Sequence, residues 1–299
     1  MNAITSPKPT HYIDLLSDYG FKRVFGSDPN KDLLIDFLND LFQGRKHIRD
    51  IQYASTERLG ENEKQGLIIF DLHCTGDQGE KFLIEVQRAD QGNFTQRAVT
   101  YVSRLISEQV PKGKRNLWEY DIKEVFFIGI LDRFAIGTED NHYLHSASIR
   151  YDKSFNIFYE GLQFIFVELS NFAKVHEALE SGLEHWLYYL KNISKMDKMP
   201  EFFQKPIFEK LFQISEYAKM QPEEQAMYDM SIRHKWNHEN AMNFGKRKAR
   251  EEGLAEGKAE AIQEVVSNLI LKSPLTDPQI AEIANIEVEA VRAIRAALQ

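Results

Sequence analysis

The sequence predicts an α/β protein, in which a mixed sheet is flanked by helices and followed by a helical C-terminal region. Apolar runs typical of strands alternate with segments of helical period as far as residue 131, and such a mixture favours one sheet with helices packed on it. From about residue 174 onward, the apolar residues recur at helical spacing alone. A chain of 299 residues that is 43% hydrophobic can bury a sizeable core.

Two helices are predicted before the first strand. Residues 12–26 have the dense apolar pattern of a buried helix or turn. Asp28-Pro29 marks the start of a second helix, because a capping residue followed by proline suits the first helical turn. Apolar residues then recur at helical spacing as far as Leu41, and Gly44 can end the helix.

Three strands are predicted next. Residues 48–54 alternate weakly between polar and apolar. The apolar run LIIFDLHC (67–74) is typical of a strand that is covered on both faces. A turn at 75–80 separates it from KFLIEVQ (81–87), and we expect these two strands to form a hairpin.

A helix and three more strands complete the predicted sheet. Residues 94–110 have helical period, and Pro111 stops the helix. The run IKEVFFIGIL (122–131) predicts a strand, and further candidates lie near 143–151 and at 162–169. The order through residue 131 is therefore helix, three strands, helix, strand.

These patterns divide the chain into four predicted parts: an α/β core at 10–170, a helical extension at 171–244, a charged, glycine-punctuated helical linker at 245–274, and a small helix–turn–helix-like unit at 275–299. The linker is low in apolar residues, and Gly253 and Gly257 each cost a helix about 1 kcal/mol relative to alanine. The last unit opens with a capping box, Thr276 to Gln279.

Composition narrows the class of protein. The single cysteine, Cys74, cannot form an internal disulfide, which favours a reducing compartment. The first ten residues lack the apolar stretch of a secretory signal, and no window reaches the roughly 20 apolar residues of a membrane span. We therefore expect a cytoplasmic protein with no membrane partner and no small-molecule cofactor. The net charge of −8 argues against wholesale binding of nucleic acid but allows a local basic groove.

Carboxylates interrupt the predicted apolar hairpin. Because side chains alternate along a strand, Glu85 and Gln87 project from the same face of 81–87. The hairpin turn brings Asp71 roughly opposite them. Two buried like charges are costly, since burial and mutual repulsion both disfavour ionisation. A divalent cation removes both costs, and carboxylate oxygens with water suit Mg²⁺ or Mn²⁺.

An ordinary ion pair is the alternative to this metal site. Either acid can pair with a nearby cation or lie at a solvated strand end, where polar residues are common. The candidate cations are Arg88, Arg97 and Lys81. The pattern of residues leaves both interpretations open.

Several motifs occur together in a defined order: DYGFKRVFG (18–26), DLLIDFLN (32–39), FDLHC (70–74), FLIEVQ (82–87) and QRADQGNFTQRAVTY (87–101). With them, the sequence resembles the PD-(D/E)xK nuclease family transposases, bacterial proteins also described as recombination-promoting nucleases. The likeness continues through WLYYLKN (186–192) to GLAEGKAE (253–260) and covers roughly residues 10–260. It implies a restriction-endonuclease-like core of helix, three strands, helix and strand.

The resemblance also implies a function and a site. It predicts a Mg²⁺-dependent endonuclease (Mn²⁺ is the alternative ion) that hydrolyses phosphodiester bonds in DNA and promotes recombination or transposition. The family's two acids fall on Asp71 and Glu85, and the backbone carbonyl of Val86 is a further candidate metal ligand. Asp18 on the first helix is the best match for an assisting acid.

One position departs from the superfamily signature. Gln87 stands where the signature has lysine, and glutamine can hydrogen-bond but carries no charge. Glutamine is characteristic of this family, so Gln87 is expected to position water or phosphate. Lys22 or Arg97 is expected to supply the missing positive charge.

The sequence also offers candidates for phosphate contacts and for binding partners. Lys112, Lys114 and Arg115 form a basic cluster that is either a DNA-binding candidate or a charged surface. The nuclease fold can also be catalytically silent and serve to bind DNA or a protein partner. The helical C-terminal half can assemble a homo-oligomer, and acidic Glu287 and Glu289 favour packing over groove binding by the last unit.

Overall fold

A mixed six-stranded sheet is the centre of the fold in a computed structural model of the chain, which describes residues 11–58, 68–89, 92–110, 121–136, 141–201 and 203–298. The strands are β1 (Ile51–Tyr53), β2 (Glu57–Arg58), β3 (Ile68–Ile69), β4 (Leu72–Gly76), β5 (Lys81–Gln87), β6 (Val125–Leu131), β7 (Leu144–Arg150) and β8 (Ile157–Glu168). The sheet order is β1-β4-β5-β6-β8-β7, while β2 and β3 pair separately. Strands β5, β6 and β8 run parallel, and the other pairs are antiparallel.

Eight α-helices are found in the described residues. They are α1 (Asp18–Phe25), α2 (Lys31–Phe42), α3 (Phe94–Ser107), α4 (Gly182–Asn192), α5 (Pro206–Ser215), α6 (Pro222–Lys272), α7 (Asp277–Ala284) and α8 (Val288–Ala297). Within the six-stranded sheet, the predicted order of helix, three strands, helix and strand is confirmed, with β1, β4 and β5 as the three strands. The α/β class with a helical C-terminal region is also confirmed.

The prediction of one strand over 67–74 is wrong. The chain forms β3, bends at Asp71 and then forms β4. At the break, the Phe70 N–H donates to the Thr56 carbonyl at 2.9 Å rather than to β5. As a result, Asp71 lies just ahead of β4, where the backbone has left the regular ladder.

The central strands are covered on both faces. Phe82 and Ile84 of β5 pack with the side of the sheet that holds α1, α2, α4 and α5. Leu83 faces the other side, where it joins apolar residues of α3 such as Phe94. Gly129 of β6 lies beneath Phe94, and a Cβ at this position would be 3.0 Å from the Phe94 ring. The lack of a side chain there lets α3 approach the sheet closely.

The chain divides into two compact units, Met1–Arg233 and His234–Gln299, and the division falls inside α6. The predicted linker at 245–274 is helical as far as Lys272, as part of α6, and its side chains are exposed over 245–261. In the second unit, Val266 packs with residues of α7 and α8, including Ile280 and Val291. The predicted capping box of Thr276 and Gln279 is confirmed. The finer division into four parts stays a prediction.

None of the described helices is both long enough and apolar enough to cross a membrane.

Candidate active site

Strand β5 carries the candidate catalytic residues at its carboxyl end. Its bounds, Lys81–Gln87, are those predicted from the sequence, so Glu85 and Gln87 share the face of Leu83, toward α3. Leu72 pairs with Ile84 in the antiparallel ladder, which places the preceding residue, Asp71, opposite Glu85. The predicted juxtaposition of these two acids is therefore present.

The two acids are joined by reciprocal hydrogen bonds to each other's backbone. The Asp71 N–H donates to Glu85 Oε1 at 3.1 Å, and the Val86 N–H donates to Asp71 Oδ2 at 2.7 Å. The Asp71 carboxylate thus bonds to β5 at the point where β4 no longer does. We call Asp71 and Glu85 the acid pair.

Burial makes the acid pair costly to ionise. Glu85 is 4% exposed, and its burial, with the charge of Asp71 as a second cause, raises its pKa to about 8. Burial also raises the pKa of Asp71, against the Val86 N–H, which lowers it. A cation placed between the two carboxylates would stabilise the ionised form of both.

Arg97 of α3 is the cation that approaches the acid pair from above the sheet. Its Nη2 lies 3.6 Å from Glu85 Oε2 and donates to Gln87 Oε1 at 2.9 Å. The rings of Phe94 and Tyr101 flank the guanidinium, with centroids 5.5 and 5.8 Å from Cζ. The Gln87 amide also donates to the Ala89 carbonyl at 2.8 Å, so both ends of this amide are engaged.

Helix α1 carries Asp18 and Lys22, two of the predicted assisting residues. The two form an exposed ion pair of 2.7 Å. The charge of Asp18 raises the pKa of Asp71 and that of Lys22 lowers it, although both effects are smaller than that of burial. The other predicted partners of the acids lie elsewhere: Lys81 donates to Thr75 at 3.0 Å, and Arg88 binds Asp14 and Asp132.

The oxygens around the acid pair fit a divalent cation that keeps several waters. Within the described ranges, His, Cys, Asp and Glu side chains form no group of three or more that could hold a metal. The protein donors would therefore be two carboxylates and a carbonyl. The N–H and C=O of one strand residue point to the same side, so the Val86 carbonyl is directed toward the side of β5 where its N–H meets Asp71. Mg²⁺ favours such a coordination shell, in which a few protein oxygens bind the ion and several waters complete it.

Tyr101 was not predicted as part of the site. Tyr101 borders the acid pair: burial raises its pKa, and the charge of Glu85 does so to a lesser extent. Its helical spacing from Arg97 was the available indication. The predicted DNA-binding candidates Lys112, Lys114 and Arg115 lie outside the described residues.

Comparison with known proteins identifies the family to which the chain belongs. No curated protein and no solved structure matches the chain significantly. A family model described as "PD-(D/E)XK nuclease family transposase" matches residues 15–245, well over half of the chain. The matched stretch contains the acid pair and Asp18, and PD-(D/E)XK nucleases generally use divalent metals. The chain belongs to the PD-(D/E)XK nuclease family transposases, and this membership implies a nuclease-like function.

Proposed function

We propose that the protein is a metal-dependent DNA endonuclease that hydrolyses phosphodiester bonds and promotes recombination or transposition. The single observation that carries this proposal is the reciprocal bonding of Asp71 and Glu85, which holds two buried carboxylates at one point. The family supports the DNA substrate. The lone, buried Cys74 supports a cytoplasmic location.

The acid pair and the Val86 carbonyl would hold the ion, which we propose to be Mg²⁺, with Mn²⁺ as a substitute. The bound ion would supply an activated water and neutralise charge on the phosphate. The chain's part is to hold both carboxylates in place through backbone N–H groups. Phe94 and Leu83 are buried on the α3 side and would keep bulk water away from the ion there.

Arg97 is the proposed source of the positive charge that lysine provides in the superfamily signature. Gln87 accepts a hydrogen bond from the Arg97 guanidinium, so it would orient this charge toward the substrate phosphate. Arginine suits this task because its planar donor group can bind two phosphate oxygens at once. Lys22, in an exposed ion pair with Asp18, would be a second phosphate contact, and Asp18 would assist at the ion.

A catalytically silent DNA- or partner-binding protein is the second candidate function. It is favoured by the two engaged ends of the Gln87 amide and by the contact of Arg97 with Glu85, which already offsets part of the acid charge. In such a protein, Arg97 would take the place of the metal ion. The predicted homo-oligomer remains a separate proposal.

Plasmid cleavage in Mg²⁺ or Mn²⁺ separates the two functions. We expect the wild-type chain to nick or linearise plasmid DNA, and Asp71→Asn or Glu85→Gln to abolish cleavage. Glu168→Gln is the matched control, because Glu168 is a fully buried glutamate of the same sheet with its own partners. Cleavage that survives both acid-pair substitutions would exclude the endonuclease proposal. If the wild type cleaves plasmid DNA neither in Mg²⁺ nor in Mn²⁺, the catalytically silent protein would be favoured.

A further inference from the structure

Arg88 follows the acid-pair strand directly and connects it to two other segments. Its Nε and Nη2 both approach Asp132 Oδ2, at 3.1 and 3.0 Å, and its Nη1 lies 3.1 Å from Asp14 Oδ2. The three side chains are between 11% and 20% exposed. Ion pairs this far removed from water need defined geometry to be tolerated. We call Arg88, Asp14 and Asp132 the clasp.

Asp14 organises the segment that leads into α1. Its Oδ1 accepts the Leu16 N–H at 3.0 Å, and its carbonyl accepts the Ser17 N–H and hydroxyl at 3.1 and 2.6 Å. The Ser17 oxygen in turn accepts the Gly20 N–H at 3.0 Å and caps α1. The position of Asp14 therefore determines where α1 begins.

Gly20 shows how tightly α1 lies against this segment. A Cβ at residue 20 would be 2.1 Å from the Asp14 carbonyl oxygen and 2.9 Å from Ser17 Oγ. Such a contact with backbone cannot be relieved by rotating a side chain, so α1 would have to shift. The glycine of the DYGF motif is thus required for close packing against Asp14.

Asp18, the first residue of α1, is two residues before Gly20 and directly follows the Ser17 cap. Lys22 lies one turn later and is paired with it. Asp18 is the proposed assisting acid, so a shift of α1 would move its carboxylate relative to the acid pair. The chain of contacts runs from β5 through Arg88 and Asp14 to the charges on α1.

We propose that Arg88 is a positioning residue: through Asp14 it holds α1 so that Asp18 can assist at the ion, and it thereby sets the affinity of the site for a divalent cation. This inference rests on the proposed metal site. It predicts an effect opposite in sign to simple electrostatics, because removing a nearby positive charge would by itself strengthen cation binding.

The test is a double-mutant cycle on the full chain, with Mn²⁺ affinity measured by calorimetry in the absence of DNA. We expect Arg88→Met and Asp18→Asn each to weaken Mn²⁺ binding about 10-fold, as is usual for residues that orient metal ligands. If Arg88 acts through Asp18, the double variant also loses about 10-fold rather than about 100-fold, since coupled substitutions are not additive.

Further variants guard against a change in folding. Arg88→Lys keeps the charge but cannot reach both aspartates with a planar donor group, and Gly20→Ala displaces α1 without touching Arg88. We expect both to weaken Mn²⁺ binding while circular dichroism shows a folded chain. Lys205→Met is the matched control, because Lys205 also bridges two aspartates, Asp36 and Asp40, and we expect it to leave Mn²⁺ affinity unchanged.

Additive losses in the cycle, or tighter Mn²⁺ binding by Arg88→Met, would overturn the positioning role and leave the metal site intact. A similar loss in Lys205→Met would also overturn it, because the effect would then follow from general destabilisation. If the wild type binds no Mn²⁺, the metal-site proposal itself is wrong, and the role of Arg88 falls with it.

Discussion

Glu85 and Glu168 are both buried glutamates of the same sheet, yet they lie in very different surroundings. Glu85 pairs in register with Gly129, and Gly129 with Phe166, so Glu168 lies two residues further along the same face of β8. Glu168 is fully buried and accepts hydrogen bonds from the Ile136 N–H at 2.9 Å and from the Asn171 amide at 2.7 Å. His145 lies 3.6 Å from it. Glu85 instead faces a second carboxylate.

The difference teaches how to separate a structural acid from a functional one. Glu168 ties together three segments, and its carboxylate is matched by donors, as buried polar groups generally are. Glu85 and Asp71 repel each other in a buried setting, and only part of their charge is offset by Arg97. Perturbed acids of this second kind are typical of active sites.

The largest effect predicted for a single substitution is the loss of stability when Glu168 is truncated. Glu168→Ala leaves the Ile136 N–H and the Asn171 amide buried without their acceptor, and we expect it to lower the free energy of unfolding by about 3 kcal/mol. Urea unfolding at neutral pH measures this. Glu85→Gln in the same assay should leave stability unchanged or raise it. A large loss in Glu85→Gln would remove the contrast between the two acids.

Mn²⁺ should stabilise the protein through the acid pair alone. At 100 times its dissociation constant, a bound ion adds about 2.7 kcal/mol to the free energy of unfolding, which thermal unfolding detects as a higher Tm. We expect this shift in the wild type and in Glu168→Gln. It should vanish in Asp71→Asn and in Glu85→Gln. A shift that persists in both acid-pair variants would place the ion elsewhere.

Stability should fall as the pH rises, because folding raises the pKa of Glu85. The pKa of Glu85 rises from 4.5 to about 8 on folding, so the folded protein keeps a proton that the unfolded chain releases in this range. Without metal, the stabilisation that this proton contributes is therefore complete below pH 4.5 and is lost by about 1.4 kcal/mol per pH unit up to about pH 8. Urea midpoints of wild type and Glu85→Gln measure the slope. A wild-type slope no steeper than that of Glu85→Gln would contradict the assignment.

The smallest predicted effect concerns the packing of α3 beside Glu85. In Gly129→Ala, the new methyl group meets the rings of Phe94 and Phe166 at 3.0 and 3.1 Å. Such overpacking should cost about 1 kcal/mol of stability. Because Phe94 is on the same helix as Arg97, we also expect the rate of plasmid cleavage to fall by more than the loss of folded protein alone would explain. Comparing plasmid cleavage with urea unfolding tests this, and unchanged cleavage would separate the α3 position from activity.

Part of the site could be predicted from the sequence because it depends on local periodicity. The bounds of β5 and the shared face of Glu85 and Gln87 follow from alternation along one strand. The bend at Asp71 could not be predicted from local periodicity. It is accompanied by a hydrogen bond between Phe70 and Thr56, which are far apart in the sequence. The choice of Arg97 over other cations likewise depends on how α3 crosses the sheet above Gly129.

The roles of Arg88 and Glu168 could not be predicted from local sequence patterns either, because both depend on tertiary contacts. Arg88 was predicted as a possible partner of the acid pair because it is close in sequence, but its partners come from the segment before α1 and from the end of β6. The donors to Glu168 come from separate loops after β6 and β8. Charged residues adjacent in sequence can therefore serve different sites, and only the tertiary contacts assign them.

The most direct test of the shared cation is a crystal of the protein soaked in Mn²⁺, with data collected at a wavelength where manganese scatters anomalously. The account predicts one anomalous peak in contact with carboxylate oxygens of both Asp71 and Glu85. A peak that touches neither carboxylate would contradict it. So would an acid pair bound to Arg97 with no peak, when the soaked Mn²⁺ is far above any plausible dissociation constant.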